Sequence, residues 1–370
     1  MDNVFSLSDS LGPALVIHVT EPGIGLRGIL VVDNVAAGPS IGGLRMAEDV
    51  SLQECFRLAR AMTLKNAAAG LRHGGGKSVM VGDPGMDPAK KEEMIRAFAC
   101  ALEGVEAYIF GPDMGTDEQA MAWVKDEIGR AVGLPREIGG IPLDEIGATG
   151  FGLAHAAEIA CAHAGIELAG ARVAIQGFGA VGRHSARFLA ERGAVLVAAT
   201  DSKGTVTDAG GLDIEALCSL KAERRSVVEL GSGTTAAVDA ILDVECDIWV
   251  PAARPDVVTE ENVDRLKTRL VVEGANIPMT RGAEQRLAER DVLVVPDFIA
   301  NAGGVICAAM EYQGAAQSTA FDEIEEKIRF NTEAVLSAAE ADKVIPREAA
   351  EILAETRVRR AMTTRRWSIF

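Results

Sequence analysis

Lysine is scarce in this 370-residue chain: of 37 basic residues, 27 are arginine and only 10 are lysine. Basic charge as a whole is short, with 37 Lys and Arg against 54 Asp and Glu and a formal net charge of −17. That balance argues against a sequence-independent hold on nucleic acid, which needs a basic surface. No run of about 18 apolar residues occurs, so no membrane span is expected. The start, Met1-Asp2-Asn3-Val4-Phe5, has neither the basic beginning nor the apolar core of a signal peptide. The six cysteines (Cys55, Cys100, Cys161, Cys218, Cys246, Cys307) form no C-x-x-C, and the five histidines (His18, His73, His155, His163, His184) form no H-E-x-x-H. Neither a disulfide frame nor a metal is therefore expected, and the cysteine usage points to a reducing, cytoplasmic setting.

What the chain does have begins with length: 370 residues exceed what one core usually holds, so two domains are expected. Residues 14–33 alternate as two strands around Pro22-Gly23. Ser51-Leu52-Gln53-Glu54 reads as a capping box before a helix to about Met62. Lys77 precedes a short strand over 78–84, and Asp87-Pro88 opens a helix to about Leu102. Tyr108-Ile109-Phe110 is a further strand, and Thr116-Asp117-Glu118-Gln119 caps the next helix. The Gly- and Pro-rich stretch from Gly133 to Gly147 reads as a hinge, followed by a helix from Thr149 to about Ala164. Strand and helix signals then alternate to about residue 300, which implies a parallel, doubly wound sheet. Residues 321–370 are helical and charged.

Gly177-Phe178-Gly179-Ala180-Val181-Gly182 is a G-x-G-x-x-G run. It follows the strand Arg172–Gln176 and opens a helix to about Arg192. A second strand, Ala194–Ala199, leads to Asp201, 19 residues past Gly182. This is the context that a dinucleotide fingerprint requires: glycines for the turn, and free N–H groups at a helix start for the pyrophosphate. Asp201 would accept hydrogen bonds from the ribose hydroxyls and repel a 2′-phosphate, which favours NAD, with NADP as the alternative.

Two of the ten lysines, Lys65 and Lys77, stand 12 positions apart in a small, glycine-rich, almost uncharged segment. Arginine stays protonated, whereas a lysine in an apolar pocket can be tuned toward neutral pH. Lysine here suggests chemistry that needs an amine. Gly74, Gly75 and Gly76 are expected to let backbone and ligand approach closely. Asp113, in the turn Gly111-Pro112-Asp113-Met114-Gly115-Thr116, could relay protons beside Lys77.

Taken in order, Gly42-Gly43-x-Arg45-Met46, the Lys65/Lys77 segment, Pro112-Asp113-x-Gly115-Thr116, Ala148-Thr149-Gly150, the fingerprint, Glu273-Gly274-Ala275-Asn276 and Asn301-Ala302-Gly303-Gly304 resemble the glutamate/leucine/phenylalanine/valine dehydrogenase family. The resemblance runs from about residue 28 to 312, and its lysine segment looks most like the leucine/phenylalanine branch. It implies an α/β fold of two domains. Residues 1–140 plus 325–370 would bind substrate and oligomerise, and 145–324 would be a doubly wound, Rossmann-type NAD-binding domain, with the active site in the cleft between them. It implies oxidative deamination of an L-amino acid to a 2-oxo acid and ammonia by a homo-oligomer. Lys65 would bind the substrate α-carboxylate, Lys77 would be the low-pKa base, its pKa depressed by the Lys65 cation, and Asp113 would exchange protons with the amine. Gly42 and Gly43 would line the substrate pocket. Thr149 and Asn276 would sit near the nicotinamide, with Asn301 also among the cofactor residues.

Two departures bear on the substrate. Where the glutamate branch has a lysine before the Gly-Gly pair, this chain has Ile41; where it has a serine seven residues past the Asn-Ala-Gly-Gly asparagine, this chain has Ala308. A glutamate side chain would lose both polar anchors, at a desolvation cost. The expectation is therefore an apolar, branched or aromatic, amino acid. The alternatives are glutamate itself, or a non-catalytic NAD-binding regulator on the same fold.

Overall fold

The structure, a computed structural model, describes residues 4–365. The first unit opens with the hairpin β1 (Leu15–Glu21) and β2 (Leu26–Asn34). It continues through β3 (Ser40–Ala47), α1 (Leu52–Ala68), β4 (Gly74–Val81), α2 (Pro88–Ala101), β5 (Tyr108–Pro112) and α3 (Glu118–Ile128). Its sheet runs in the order β1-β2-β4-β3-β5. β3 is parallel to β4 and β5, while β2 is antiparallel to β1 and β4. Successive residues of a strand feed opposite faces. Leu30 and Val32 of β2 join Leu44, Met46, Phe98 and Met121 in one core, and Val31 between them joins Val79, Cys55 and Ala59 beneath α1.

Ser51 caps α1, its hydroxyl accepting the Glu54 N–H at 3.2 Å. The other half of the expected capping box is redirected, because the Glu54 carboxylate pairs with Arg45. α1 runs six residues past Met62 to Ala68, through helix-favouring alanines, and stops before Gly70 at φ 65°. Lys65 is thus helical. Asp87 caps α2 ahead of Pro88, as expected. For α3 the cap is Asp117; Thr116 instead turns its hydroxyl to the Leu44 carbonyl at 2.8 Å.

After α4 (Leu143–Ile146), the second unit contains α5 (Ala148–His163), β6 (Arg172–Gln176), α6 (Ala180–Ala190), β7 (Val195–Asp201), β8 (Gly204–Thr207), α7 (Ile214–Ala222), β9 (Thr234–Ala236) and β10 (Ile248–Pro251). Then follow β11 (Leu270–Val272), α8 (Arg281–Ala288), β12 (Leu293–Val295) and α9 (Asp297–Ala300). The sheet order is β12-β11-β10-β6-β7-β8-β9. β12 through β7 are parallel and β8 and β9 add an antiparallel edge. β10 is buried at all four residues, as a strand covered on both faces must be. The chain ends in α10 (Gly303–Tyr312), α11 (Gln317–Asp342) and α12 (Pro346–Met362). No described helix is long and apolar enough to cross a membrane.

The C-terminal boundaries differ from the expected 325–370 block. Residues 305–320 and those from 352 onward group with the first unit, and 144–304 and 321–351 form the second. Side chains explain the division. Glu311 is buried and accepts the Leu134 and Ile141 N–H groups at 3.1 and 2.8 Å, tying that stretch to the first unit. Ile324 and Ile328 instead cover Gly152 of α5, and His163 reaches Glu333 and Glu340, holding α11 in the second.

Candidate active site

The glycines before Lys77 serve packing. A Cβ on Gly74 or Gly75 would overlap the Asn34 carbonyl or the Thr63 backbone, and one on Gly76 would press on Ser40 and Tyr108. They bring β2, α1 and β5 close to β4, rather than admitting a ligand as expected. Gly42 likewise abuts the Gly76 carbonyl. Gly43 borders the chemical groups: a Cβ there would lie 2.7 Å from Asp113 Cβ and 3.1 Å from Lys77 Nζ. The Tyr108 hydroxyl, itself fully buried, donates to the Gly42 carbonyl at 2.7 Å and fixes this pair of glycines.

Lys77 is 5% exposed, in the middle of β4. Its Nζ lies 2.7 Å from Asp113 Oδ2. The same oxygen accepts from Arg45 Nε at 2.9 Å, and Arg45 Nη1 continues to Glu54 Oε1 at 2.6 Å. Thr116 Oγ1 holds the Asp113 N–H at 3.0 Å, so the turn that carries Asp113 is fixed at both backbone and side chain. Burial pushes Lys77 below the usual lysine range; Asp113 opposes this, and Arg45 adds to it. Burial pushes Asp113 up, yet Lys77 and Arg45 together hold it below the ordinary carboxylate range. Arg45 is thus a cation that acts on Lys77. A lysine readied to lose its proton beside a carboxylate is a proton-transfer pair.

Ile41, Gly42 and Gly43 lie on β3, Lys65 on the last turn of α1 and Ala308 on α10, all within the first unit. Ile41 is 3% and Ala308 7% exposed. The reassignment of residues 305–320 puts Ala308 in the same unit as the lysines.

The second unit holds every cofactor candidate. Gly177, at the end of β6, has φ 94° and abuts Ala253; Gly182 packs α6 onto the Gly177 carbonyl; Gly179 has nothing within 4 Å of where a Cβ would stand. These are a tight turn, a helix–strand contact and an open approach, the division of labour that a pyrophosphate site needs. Phe178 is buried, and Ala180 and Val181 open α6 over a Gly179 cap without a side-chain hydrogen bond. Thr149 lies in the first turn of α5, which also lacks a side-chain cap. The α5 start packs on α6, since a Cβ on Gly150 would come within 2.7 Å of the Ser185 N. Asn301, 4% exposed, donates to Asn276 Oδ1 at 3.0 Å and brings those two candidates together. Beside them Ile277 is held at φ 49°, a strained value for a β-branched residue.

Asp201 departs from its expected part. Its Oδ1 accepts from the Lys203 N–H and Ser226 hydroxyl at 2.9 Å, and its Oδ2 from Lys221 Nζ at 2.8 Å and the Val227 N–H at 3.0 Å. Its lone pairs are engaged and its charge is met by Lys221, so it offers no open acceptor for a ribose and no bare charge against a 2′-phosphate.

Sequence profiles match both parts of the chain. One, described as glutamate/leucine/phenylalanine/valine dehydrogenase, covers residues 139–366; the other, the dimerisation domain of Glu/Leu/Phe/Val dehydrogenases, covers 16–130. The chain belongs to this family. It is an amino acid dehydrogenase, acting on a CH–NH2 group with a nicotinamide dinucleotide. The NADP(+)-dependent glutamate dehydrogenase of Pyrobaculum calidifontis is 39% identical over 366 residues, covering 92% of this chain and 87% of its own. The NAD-specific glutamate dehydrogenase A of Halobacterium salinarum is 35% identical over 347 residues, covering 89% and 79%. Among solved structures, a hetero-hexameric glutamate dehydrogenase from Thermus thermophilus in a Leu-bound form is 29% identical, with a TM-score of 0.82 over 96% of this chain and 89% of that one.

Within this dehydrogenase the other conspicuous residues are structural. His73 is buried, with Nδ1 3.0 Å from the Pro39 carbonyl and its ring edge-on to Tyr312. Trp249 is fully buried and donates to the Ile241 carbonyl, and Trp123 packs against the first core. Trp367 and Arg366 lie outside the described residues. Of the C-terminal arginines, Arg357 donates to the Ala67 and Ala68 carbonyls at the end of α1, and Arg359 pairs with Glu355. Arg45 stands in a motif and Glu54 in a helix cap, but no local pattern marks them as members of the Asp113 network, nor the ion cluster around Arg347, because each partner lies on a different element.

Proposed function

We propose that this dehydrogenase catalyses reversible oxidative deamination of an L-amino acid, with Lys77 as general base to the attacking water and Asp113 exchanging protons with the amine and the carbinolamine. The observation that carries this is the buried Lys77–Asp113 contact at 2.7 Å. The bound dinucleotide supplies the hydride acceptor. The first unit would carry substrate chemistry and the second the cofactor. Lys77→Ala should lower turnover by about 10²–10⁴ and leave binding of NAD(H) nearly unchanged; near-normal kcat would remove Lys77 from this role.

Glutamate is the substrate that the relatives support, since both sequence relatives named above are glutamate dehydrogenases. That support outweighs the apolar substrate expected from the pocket residues alone. One observation still favours an apolar amino acid as a second reading: Ile41 and Ala308 are buried and offer no charge or hydroxyl to a side-chain carboxylate. Nicotinamide reduction with glutamate, leucine, valine, phenylalanine and tryptophan, each with NAD and with NADP, decides between them. The relatives named include users of either cofactor, and Asp201 no longer favours NAD. Turnover confined to glutamate establishes the first reading, and turnover confined to apolar side chains the second. Silence with NAD still bound would favour a regulator. The dimerisation-domain match supports a homo-oligomer, checked by light scattering, and six unpaired cysteines support residence in the cytoplasm.

A further inference from the structure

Asp113 is approached by two cations, and both bind the same oxygen. Lys77 Nζ is 2.7 Å and Arg45 Nε 2.9 Å from Oδ2. Oδ1 accepts no hydrogen bond among the described residues. Arg45 stands on β3, next but one to Gly43, and is 18% exposed. Its guanidinium spans the site: Nε on Asp113, Nη1 on Glu54 in the first turn of α1. Only a planar, multi-donor head reaches two carboxylates in this way, and it carries its charge at every working pH.

We propose that Arg45 is a positioning residue for the proton-transfer pair: it pins Asp113 through Oδ2, leaves Oδ1 for the reacting amine, and sets a permanent cation beside Lys77 so that Lys77 can work as a neutral amine. This rests on Lys77 being the base. Without Arg45, Lys77 would face Asp113 as a simple buried ion pair, which favours the protonated lysine. The remaining groups around the pair are few. Cys55, on α1, gives its Sγ–H to the Lys77 carbonyl and is pushed up by burial to about 12; Tyr108, on β5, is pushed further up by burial; both stay neutral. Glu54 adds an opposing charge, and it draws on Arg45 from the α1 side.

A base that must be neutral loses activity as pH falls through its pKa. Removing the Arg45 cation raises the pKa of Lys77, and that of Asp113 moves the same way. The acid limb of the pH–rate profile should therefore shift to higher pH in Arg45→Met, with kcat down roughly tenfold to a hundredfold, as for loss of a charged hydrogen bond. Arg45→Lys keeps the charge but loses the fork; kcat should fall while the limb stays near its original place. Glu54→Gln, a partly exposed site that should fold in any event, removes the opposing charge and should move the limb slightly the other way, to lower pH.

The experiment is the pH dependence of kcat and kcat/KM for the full chain and these three variants, using the amino acid with highest turnover, with thermal melts as the check on folding. Opposite shifts for Arg45→Met and Glu54→Gln are expected, and a merely structural arginine would not produce them. Acid limbs that stay put in folded Arg45→Met, or in Glu54→Gln should Arg45→Met not fold, would overturn the assignment. Lys77→Ala separates the two claims. If it stays active, the base itself is misassigned; if it is dead while the limbs do not move, only the role of Arg45 fails.

Discussion

A glycine's use is set by what its missing Cβ would meet, and the fingerprint shows two opposite cases. At Gly182 a Cβ would fall 1.9 Å from the Gly177 carbonyl oxygen, a backbone atom that cannot step aside without opening the α6–β6 contact. Gly182→Ala should therefore lose about 1–3 kcal/mol of stability. At Gly179 φ is −85° and nothing lies within 4 Å, so Gly179→Ala should fold with a stability change of about 0.5 kcal/mol or less. With the pyrophosphate proposed to approach at this open position, the added methyl should raise KM for the cofactor about tenfold or more. Thermal melts and cofactor titrations of the two variants would separate the roles; equal melting losses would mean that Gly179 is also a packing glycine. The same logic shows where single residues were legible. The Lys65/Lys77 pair stood out because lysine is rare in this arginine-rich chain. The glycines before Lys77 were misjudged, because sequence does not tell whether a ligand or a neighbouring helix occupies the space that a glycine leaves. Arg45, 68 positions from Asp113, was visible as a motif residue but not as the partner of the site.

At the scale of elements, the first turn of α12 supplies a buried ion cluster. Arg347 Nε meets Glu284 of α8 at 2.6 Å, and its Nη2 meets Glu273, at the end of β11, at 2.8 Å and Asp297 of α9 at 3.1 Å. One guanidinium thus faces three buried carboxyls. Burial and the Asp297 charge push Glu273 well above its ordinary value, and burial raises Glu284. Asp297 also accepts the strained Ile277 N–H at 2.8 Å, which links the cluster to the Asn276 segment. Arg347→Met strands the acids and should cost about 3–5 kcal/mol, whereas Glu284→Gln should stay within about 1 kcal/mol. Denaturation that responds equally to both changes would show that the arginine charge is not what holds α12 there. Elements themselves were legible where both propensity and punctuation agreed: β6 falls on the residues expected, and α5 within one residue of them. α1 ran long because nothing between Met62 and Gly70 breaks a helix. Which core the C-terminal helices join was hidden, since periodicity marks an apolar face but not the surface that will receive it.

The whole molecule was legible in outline, because length implies two cores and the order of motifs distributes chemistry between them. The repeated passage of the chain between units was not, as it depends on contacts such as those of Glu311 and Arg347 with residues far away in sequence. For the second unit this packing has a pH signature set by two histidines of α5. His155 is 4% exposed, with Nε2 2.7 Å from Arg192; burial and the Arg192 and Arg329 charges depress it to about 4. The unfolded chain binds this proton from about 6.5 downward, so stability should fall as pH drops from there toward 4, by roughly 2–3 kcal/mol at most. His163 is the reverse: burial lowers its pKa, but hydrogen bonds to Glu340 and Glu333 of α11 outweigh that and raise it. Its contribution is present below about 6.5 and is lost as pH rises through the raised value. With both carboxylates more than half exposed, it amounts to about 1 kcal/mol or less. Unfolding free energies should therefore flatten between about pH 6.5 and 4 in His155→Gln and soften on the near-neutral alkaline side in His163→Gln, each leaving the other flank in place. If His163→Gln steepened the acid flank instead, its ion pairs with α11 would not be what docks that helix on α5.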